Sequence, residues 1–267
     1  MIGQLIGQLG TTIILEPLIN LSVLLYSLLF NNFALAIVGL TILVRLITYP
    51  LTWKQLQSMR AMQELSPKLQ ALQKKYEKDR EKLTEETMKL YREHGVNPAG
   101  GCLPSLVQLP VWIGLYQSIY QVLGETPEQL MALSQHIYHS VPFLHEIARR
   151  TIPLNSRFLW LNLARPDPYY ILPILVVAVF WLQQKMSTVP SADPQQASMS
   201  QTMNIMMPFM FGFFTLRVSS GLAIYWVVSG VLGIIQQYFV IGSGGLRAQP
   251  VAEGKEDGGK KKRRGKR

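Results

Sequence analysis

Long apolar stretches separated by polar segments dominate the hydropathy pattern of this chain. A helix needs about 20 apolar residues to cross the hydrocarbon core of a bilayer. The pattern predicts five such helices, at 33–53, 99–123, 169–186, 201–218 and 222–240. Since 48% of the residues are hydrophobic, the predicted fold class is an all-α polytopic membrane protein with five transmembrane helices.

A shorter apolar run precedes the first predicted span. Glu16-Pro17 interrupts this run, and the uninterrupted part, Leu18–Phe30, has thirteen residues. That length is too short for a span and suits an amphipathic helix at the membrane surface. We therefore expect 1–32 to be an N-terminal segment with an outer interfacial helix, and a tilted additional span is the alternative.

The segment after the first span, 54–98, mixes charges of both signs with apolar residues at helical spacing. Ser66-Pro67 is typical of a helix start. Helices over Pro67–Tyr76 and Glu81–His94, the second ended by Gly95, predict a cytoplasmic helical hairpin. The apolar side chains expected to face each other across this hairpin are Leu69, Leu72, Tyr76, Leu83, Met88, Leu90 and Tyr91.

The remaining segments between and after the predicted spans show weaker signals of secondary structure. Residues 124–168 are predicted to be an external loop, in which Phe158–Leu163 resembles an aromatic anchor at the membrane interface. Residues 187–200 are predicted to be a cytoplasmic linker, and Ser219–Gly221 a tight outer turn. The Gly-rich, basic segment 241–267 is predicted to be a disordered cytoplasmic tail.

The distribution of charge predicts the orientation in the membrane. The formal net charge is +10, with ten Lys and Arg residues in 54–98, nine in 242–267 and only four in 124–167. Basic residues close to spans remain on the cytoplasmic side. The hairpin and the C-terminus are therefore predicted to lie inside, and the loop and the N-terminus outside, which an odd number of spans also requires.

The first predicted span contains a single charged residue, Arg45. Thr41, Thr48 and Thr52 lie on the same helical face. An ionisable residue within a span costs roughly 2.5 to 3.5 kcal/mol on insertion scales and marks a functional site by default. The alternative is a side chain that extends to the headgroups, but Arg45 lies about 12 Å along the helix from Trp53, which favours function.

Other spans carry polar or adaptable surfaces. The second span has a one-sided stripe formed by Ser105, Gln108, Trp112 and Tyr116. The fifth span contains Trp226, Ser229, Gln236 and Gln237. A methionine cluster, which offers either a compliant binding surface or ordinary core packing, comprises Met186, Met199, Met203, Met206, Met207 and Met210.

The composition argues against several classes of function. None of the predicted spans contains Asp, Glu or His, which disfavours a proton-coupled transporter and an intramembrane protease. The sequence has no GxxxxGK[ST] motif, so no nucleotide hydrolysis is expected. Cys102 is the only cysteine and cannot form an intramolecular disulfide. The external histidines 136, 139 and 145 lack further ligands, so no metal or cofactor is expected.

Four stretches carry a resemblance to a known family: TILVRLITYPLTWKQLQSMRAMQELSPKLQALQKKY, YREHGVNPAGGCLPSLVQLPVWIGLYQSIY, FLWLNLARPDPYYILPILVVAVFWLQQKM and GLAIYWVVSG. The chain closely resembles the YidC/Oxa-type membrane protein insertases from about Glu16 to Val240. The resemblance is to a short bacterial form without a large periplasmic domain. It implies five helices around a hydrophilic groove that is open to the cytoplasm and the lipid and closed outside.

The resemblance also implies roles for particular residues. Arg45 corresponds to the groove arginine of the family, and Gln183 and Trp226 fall where groove-lining residues are expected. Together with the polar stripes, the complete set of predicted groove residues is Arg45, Thr41, Thr48, Ser105, Gln108, Tyr116, Gln183, Trp226 and Ser229.

The function implied by the resemblance is a non-enzymatic insertase of the bacterial cytoplasmic membrane. It would move hydrophilic segments of nascent membrane proteins through a wet groove and release apolar segments into lipid. The expected partners are nascent membrane proteins, the ribosome, signal-recognition targeting factors, the Sec translocon and the lipid bilayer. Two rival hypotheses are a small-solute transporter with an anion site at Arg45, and a structural scaffold in which Arg45 is replaceable.

Overall fold

The computed structural model describes residues 11–77, 79–96, 103–124, 126–138, 141–188 and 194–242. Within these ranges the chain is helical, apart from one short β-hairpin and the connecting turns. In chain order the helices are α1 (Glu16–Leu28), α2 (Phe33–Glu64), α3 (Ser66–Lys75), α4 (Arg80–Glu93), α5 (Leu103–Val122), α6 (Pro127–Gln135), α7 (Pro142–Thr151), α8 (Ile171–Ser187), α9 (Pro194–Thr215) and α10 (Ser220–Ile241).

Helix α1 follows a π-helical turn at Thr11–Leu15 and packs against α2 and α5. One face of α1 is buried, including Ile19 and Val23. The buried Asn20 side chain donates to the His136 carbonyl at 2.9 Å and accepts from the Tyr138 backbone N–H at 3.0 Å. The segment predicted to be an interfacial helix is therefore packed on the bundle and also holds part of the external segment.

Helix α2 extends well beyond the predicted first span. Asn32 caps its start by accepting from the backbone N–H groups of Ala34 and Leu35 at 3.0 and 3.2 Å. Its 32 residues extend about 48 Å at ~1.5 Å per residue, against a hydrocarbon core of about 30 Å. One continuous helix therefore joins span 33–53 to the segment predicted to be a hairpin.

Helices α3 and α4, here called the arm, occupy that segment. The arm has its own small core, in which Leu69 and Leu83 are buried. Met88, which helical spacing predicted in this core, is instead 48% exposed. Helix α3 begins at Ser66 rather than at the predicted Pro67, so Ser66 is not an N-cap. Leu65 connects α2 to α3 in a helical conformation, which leaves no extended N-cap residue.

The external segment is more ordered than the predicted loop. It contains α6, α7 and a β-hairpin that pairs Arg157–Phe158 with Leu161–Asn162. Thr126 and Gln129 form a capping box at the start of α6. The connection from the hairpin to α8 is fixed by Asp167, whose carboxylate accepts from the backbone N–H groups of Tyr169 and Leu172 at 3.0 and 2.8 Å.

The last three helices form the rest of the bundle. Helix α9 begins at Pro194, inside the predicted linker 187–200, and ends at Thr215, before the predicted end of span four. Helix α10 packs against α2 and α8, and α9 packs against α8. Residues 243–267, most of the predicted tail, lie outside the described part of the chain.

Apolar side chains are distributed as in a protein that contacts lipid. A buried core joins α1, α2, α5, α8 and α10, yet large apolar side chains such as Ile47, Ile174, Phe213 and Phe239 are exposed. Exposed apolar surface of this extent marks an interaction surface, here a membrane. By length and composition, α2 and α10 are candidate spans among the described residues, and α8 is a shorter apolar helix. Five spans remain a prediction.

Candidate functional site around Arg45

Arg45 lies near the middle of α2 and is half-buried. Its Nη1 donates to Gln236 Oε1 at 3.2 Å, and its Nη2 donates to Ser229 Oγ at 2.9 Å and to the Ser229 carbonyl oxygen. Both partners belong to α10, where they are seven residues apart and therefore share a helical face. The guanidinium is thus held against α10 by three hydrogen bonds.

A glycine allows a third helix to reach the same point. A Cβ added at Gly233 would lie 2.7 Å from Gln183 Nε2 and 3.1 Å from Arg45 Nη2. At Gly230, one turn earlier, a Cβ would lie 2.3 Å from Val179 Cγ1. These two glycines let α8 approach α10 closely, so the Gln183 amide lies beside the guanidinium of Arg45.

The guanidinium of Arg45 is hydrogen-bonded, but its charge is not neutralised. Its three acceptors are a carbonyl, a hydroxyl and an amide oxygen, all formally neutral. None of the ion pairs found among the described residues involves Arg45. The buried Tyr225 lies close enough to interact with both Arg45 and Ser229. The site therefore keeps a net positive charge in apolar surroundings, where charge interactions are stronger than in water.

The cluster remains partly accessible. The side chains of Arg45, Gln183, Ser229 and Gln236 are all half-buried rather than enclosed. An arginine has five N–H donors, and the contacts to Ser229 and Gln236 use three of them. The remaining donors can engage a further acceptor, such as a carboxylate, without first breaking the contacts to α10.

The predicted threonine stripe contributes less than expected. Thr48 Oγ1 donates to the Val44 carbonyl at 2.8 Å, and Thr41 Oγ1 donates to the Ile37 carbonyl at 2.6 Å. Hydroxyls bonded in this way are satisfied by their own helix. Thr41 is also only 1% exposed, so the prediction that it lines an open groove is wrong.

Trp226 is likewise buried, at 2% exposure. It stacks on Trp112 of α5, with ring centroids 6.0 Å apart, and meets Phe211 of α9 edge-on at 5.6 Å. Phe214 packs against the same indole at 6.1 Å. Trp226 therefore joins α5, α9 and α10 in an aromatic cluster and does not line an accessible surface as predicted.

The α5 candidates divide into two groups. Ser105 and Gln108 belong to α5, but their side chains lie outside the described part of the structure. Tyr116 is exposed and stacks on Tyr120, one turn further along, with centroids 6.3 Å apart. The described residues do not place α5 polar side chains beside Arg45.

The predicted residues that meet in the structure are thus Arg45, Gln183 and Ser229. Two further members were missing from the predicted set, Gln236 and Gly233. Gln236 had a usable signal, since it follows Ser229 by two helical turns. No group of three or more His, Cys, Asp or Glu side chains that could hold a metal ion occurs within the described ranges.

Comparisons with known proteins give a consistent result. The family model described as "60Kd inner membrane protein" matches residues 24–244. "Membrane protein insertase YidC" of Fusobacterium nucleatum subsp. nucleatum is 38% identical over 214 residues, which cover 80% of this chain and 88% of that relative. The protein of the same name from Actinobacillus succinogenes is 40% identical over 228 residues, covering 85% of this chain and 36% of its own length.

A solved structure is also similar. It is described as "Active YidC insertase crystal structure with the first transmembrane domain resolved" and aligns with a TM-score of 0.56 at 27% identity. The alignment covers 84% of this chain and 45% of that one. The chain therefore spans most of the Fusobacterium relative, but less than half of the Actinobacillus protein and of the solved chain.

Proposed function

Since the chain belongs to the 60Kd inner membrane protein family, we propose that it inserts proteins into the bacterial cytoplasmic membrane. The relatives named above are YidC insertases. In this proposal the chain acts on nascent membrane proteins, as a chaperone of the bilayer rather than as an enzyme. Its N-terminus lies outside and its C-terminus in the cytoplasm.

The cluster around Arg45 carries this proposal. Arg45 is fixed by neutral acceptors, has part of its surface accessible, and lies within a helix long and apolar enough to span a membrane. Charged side chains inside a membrane pair with another charge or with backbone carbonyls, and among the described residues Arg45 has the Ser229 carbonyl as a partner but no acid. An arginine left with its charge uncompensated is suited to attract an acidic segment of a passing chain.

The mechanism follows from the cost of moving polar groups through hydrocarbon. A hydrophilic tail that crosses lipid unaided loses the hydrogen-bond partners of its backbone and the hydration of its charges. A wet groove in the inner leaflet, lined by Arg45, Gln183 and Ser229, would shorten that crossing. The apolar segment that follows then leaves sideways into lipid, driven by burial of its surface. No nucleotide is needed.

The arm and the tail are assigned to earlier steps. The arm joins α2 at the predicted cytoplasmic end and is proposed to receive substrate from the ribosome, signal-recognition targeting factors or the Sec translocon. Residues 255–267 hold eight Lys and Arg and two acids. A segment of this charge is proposed to contact ribosomal RNA through phosphate neutralisation, which weakens steeply with salt.

Reconstitution tests the proposed function. The purified chain in liposomes should insert a single-span protein with an acidic N-terminal tail, scored by protection of that tail from added protease. Empty liposomes give the background, and the chain should not increase the flux of small anions through the same vesicles. Insertion at the background level, or anion flux without insertion, would contradict the proposal.

A further inference from the structure

A second arginine of α2 also contacts α10. Arg60 lies fifteen residues after Arg45, beyond the predicted span. Its Nη1 donates to the Val240 carbonyl at 3.2 Å, and its Nε donates to Glu64 Oε1 at 3.0 Å. Val240 is the penultimate residue of α10, where helix carbonyls have no partner within the helix. Arg60 therefore caps the C-terminal end of α10.

Gln63 does the same for α8. Its Nε2 donates to the carbonyls of Met186 and Thr188 at 3.2 and 3.3 Å. Met186 lies in the last turn of α8, and Thr188 is the residue that follows its end. Two side chains one turn apart on α2 therefore hold the ends of two other helices, and we call Arg60 and Gln63 the bracket.

Further amide contacts join the helix ends that the bracket holds. Gln237 Nε2 of α10 donates to Ser187 Oγ of α8 at 3.0 Å. Asn204 of α9 accepts from Gln184 Nε2 at 2.9 Å and donates to Thr188 Oγ1 at 3.0 Å. The ends of α8 and α10 and the facing part of α9 are thus fixed to one another, so the bracket holds α2 against a rigid platform.

The bracket lies directly before the arm. Gln63 is the penultimate residue of α2, a single residue separates α2 from α3, and α3 starts at Ser66. Leu65 and Ser66 are buried, and the Leu69 backbone N–H donates to the Leu65 carbonyl at 3.0 Å. The described chain thus offers no extended linker at this joint, and the direction in which α2 ends determines where the arm begins.

We propose that Arg60 and Gln63 are positioning residues that fix the arm relative to the cytoplasmic ends of α8 and α10. This inference rests on the proposed function, because a fixed arm matters only if the arm delivers substrate. The hydrogen bonds lie at the cytoplasmic ends of the helices, away from the apolar core that holds α1, α2, α5, α8 and α10 together. Their loss should therefore change the position of the arm before it changes the stability of the bundle.

The test measures arm position directly in the full chain in lipid nanodiscs. Spin labels are attached to cysteines placed at the exposed positions Glu85 in α4 and Gln201 in α9, after Cys102→Ser. The test variant combines Arg60→Met with Gln63→Leu, which removes the donors. The matched control is Gln57→Leu, an exposed glutamine on the same part of α2. Arg60→Lys with intact Gln63 serves as the conservative variant.

The expected result is a broader distribution of label-to-label distances in the double variant. Each lost hydrogen bond changes the equilibrium between molecules with a fixed arm and molecules with a displaced arm by about two- to tenfold. Insertion by the double variant should fall by a similar factor, while its melting temperature stays at the wild-type value. Gln57→Leu should leave distances and insertion unchanged, and Arg60→Lys, in which Gln63 is intact, should retain most of the wild-type order and insertion.

Several outcomes would overturn the inference: an unchanged distance distribution, equal broadening in Gln57→Leu, or broadening with wild-type insertion. The distance readout does not depend on insertion. If the wild-type chain inserts nothing, the proposed function fails, and a wild-type distance distribution in the double variant would show separately that the bracket does not hold the arm.

Discussion

Arg45 and Arg60 lie on the same helix and donate hydrogen bonds to the same neighbour, α10, but their surroundings differ. Arg45 is half-buried and contacts only neutral acceptors. Arg60 is exposed and forms an ion pair with Glu64 at 3.0 Å. An exposed pair of this kind contributes about 0 to 1 kcal/mol. A lone charge in a low-dielectric site interacts far more strongly.

This difference indicates that the two arginines act through different properties of the same side-chain type. At Arg45 the uncompensated charge is the property that a substrate would sense, whereas at Arg60 the relevant property is a long side chain with N–H donors that reach the end of α10. Lysine keeps the charge and loses the planar fork of donors. Substitutions should therefore separate charge from hydrogen bonding, with the largest effects at Arg45 and the smallest at Arg60.

Arg45→Ala should have the largest effect. At an effective dielectric constant near 20, two charges 4 Å apart interact by up to about 4 kcal/mol, and each 1.4 kcal/mol is a factor of ten. This sets an upper limit of roughly several hundredfold. We expect insertion of an acidic-tailed protein to fall about tenfold, within that limit, and Arg45→Lys to retain more activity than Arg45→Ala. Initial insertion rates in proteoliposomes measure this. Equal rates for Arg45→Lys and Arg45→Ala would show that the positive charge at position 45 does not drive insertion.

Gly233→Ala should come next. The added Cβ would lie 2.7 Å from Gln183 Nε2 and 3.1 Å from Arg45 Nη2. Both atoms are the ends of long side chains, so they can shift at little cost in stability, but the shift displaces the guanidinium from its place in the cluster. We expect severalfold slower insertion, although alanine favours the helix over glycine by about 1 kcal/mol. Gly39→Ala is the matched control, because its Cβ would meet only Leu29 and Leu25 side-chain carbons, at 3.3 Å or more. The same loss in both variants would contradict a specific effect on the cluster.

Ser229→Ala should have a smaller effect on insertion. It removes the hydroxyl that accepts from Arg45 at 2.9 Å but leaves the Ser229 carbonyl and Gln236 in place. The hydrogen bond to Arg45 is worth about 1 kcal/mol, and the buried Tyr225, which also contacts this hydroxyl, loses a partner. We expect a reduction of about fivefold or less, with the preference for acidic tails retained. Loss of that preference would show that the hydroxyl, rather than the charge, selects the substrate.

Arg60→Met alone should have the smallest effect, about twofold on insertion, because it removes one exposed hydrogen bond to the Val240 carbonyl while Gln63 still holds the end of α8. Its effect should also shrink as salt is raised, since exposed charges are screened within about 8 Å at physiological ionic strength. The effect of Arg45→Ala should persist at the same salt concentrations. A salt titration of insertion with both variants checks this, and parallel curves would mean that the two arginines share one environment.

Much of this picture was accessible from sequence, for identifiable reasons. Arg45 was visible as a lone charge in an apolar run, and Ser229 and Gln183 as polar residues in other spans. Helical spacing gives the face of a residue but not the neighbour that covers that face. For this reason Thr41 and Trp226 were predicted to line an open groove, although aromatic and apolar packing buries them. The importance of Gly233 could not be predicted from sequence, because it depends on the close approach of α8 to α10.

The boundaries show the same limit. Helix α9 was predicted to begin at 201 because 187–200 is polar, but a polar composition does not prevent helix formation and α9 begins at Pro194. Helix α6 had a readable signal in Thr126 and Gln129, which match the capping-box pattern. The bracket was not predictable, because the contacts of Arg60 and Gln63 join residues up to 180 positions apart.

The central claim is that Arg45 acts through its charge on acidic substrate segments. The most direct measurement compares two single-span test proteins that differ only by Asp or Asn in the tail, each with the wild-type chain and with Arg45→Ala. We expect Asp-to-Asn replacement to slow insertion by the wild type at least severalfold, and not to slow insertion with Arg45→Ala, because the uncharged tail then loses less hydration. The same reduction with both chains would contradict the central claim.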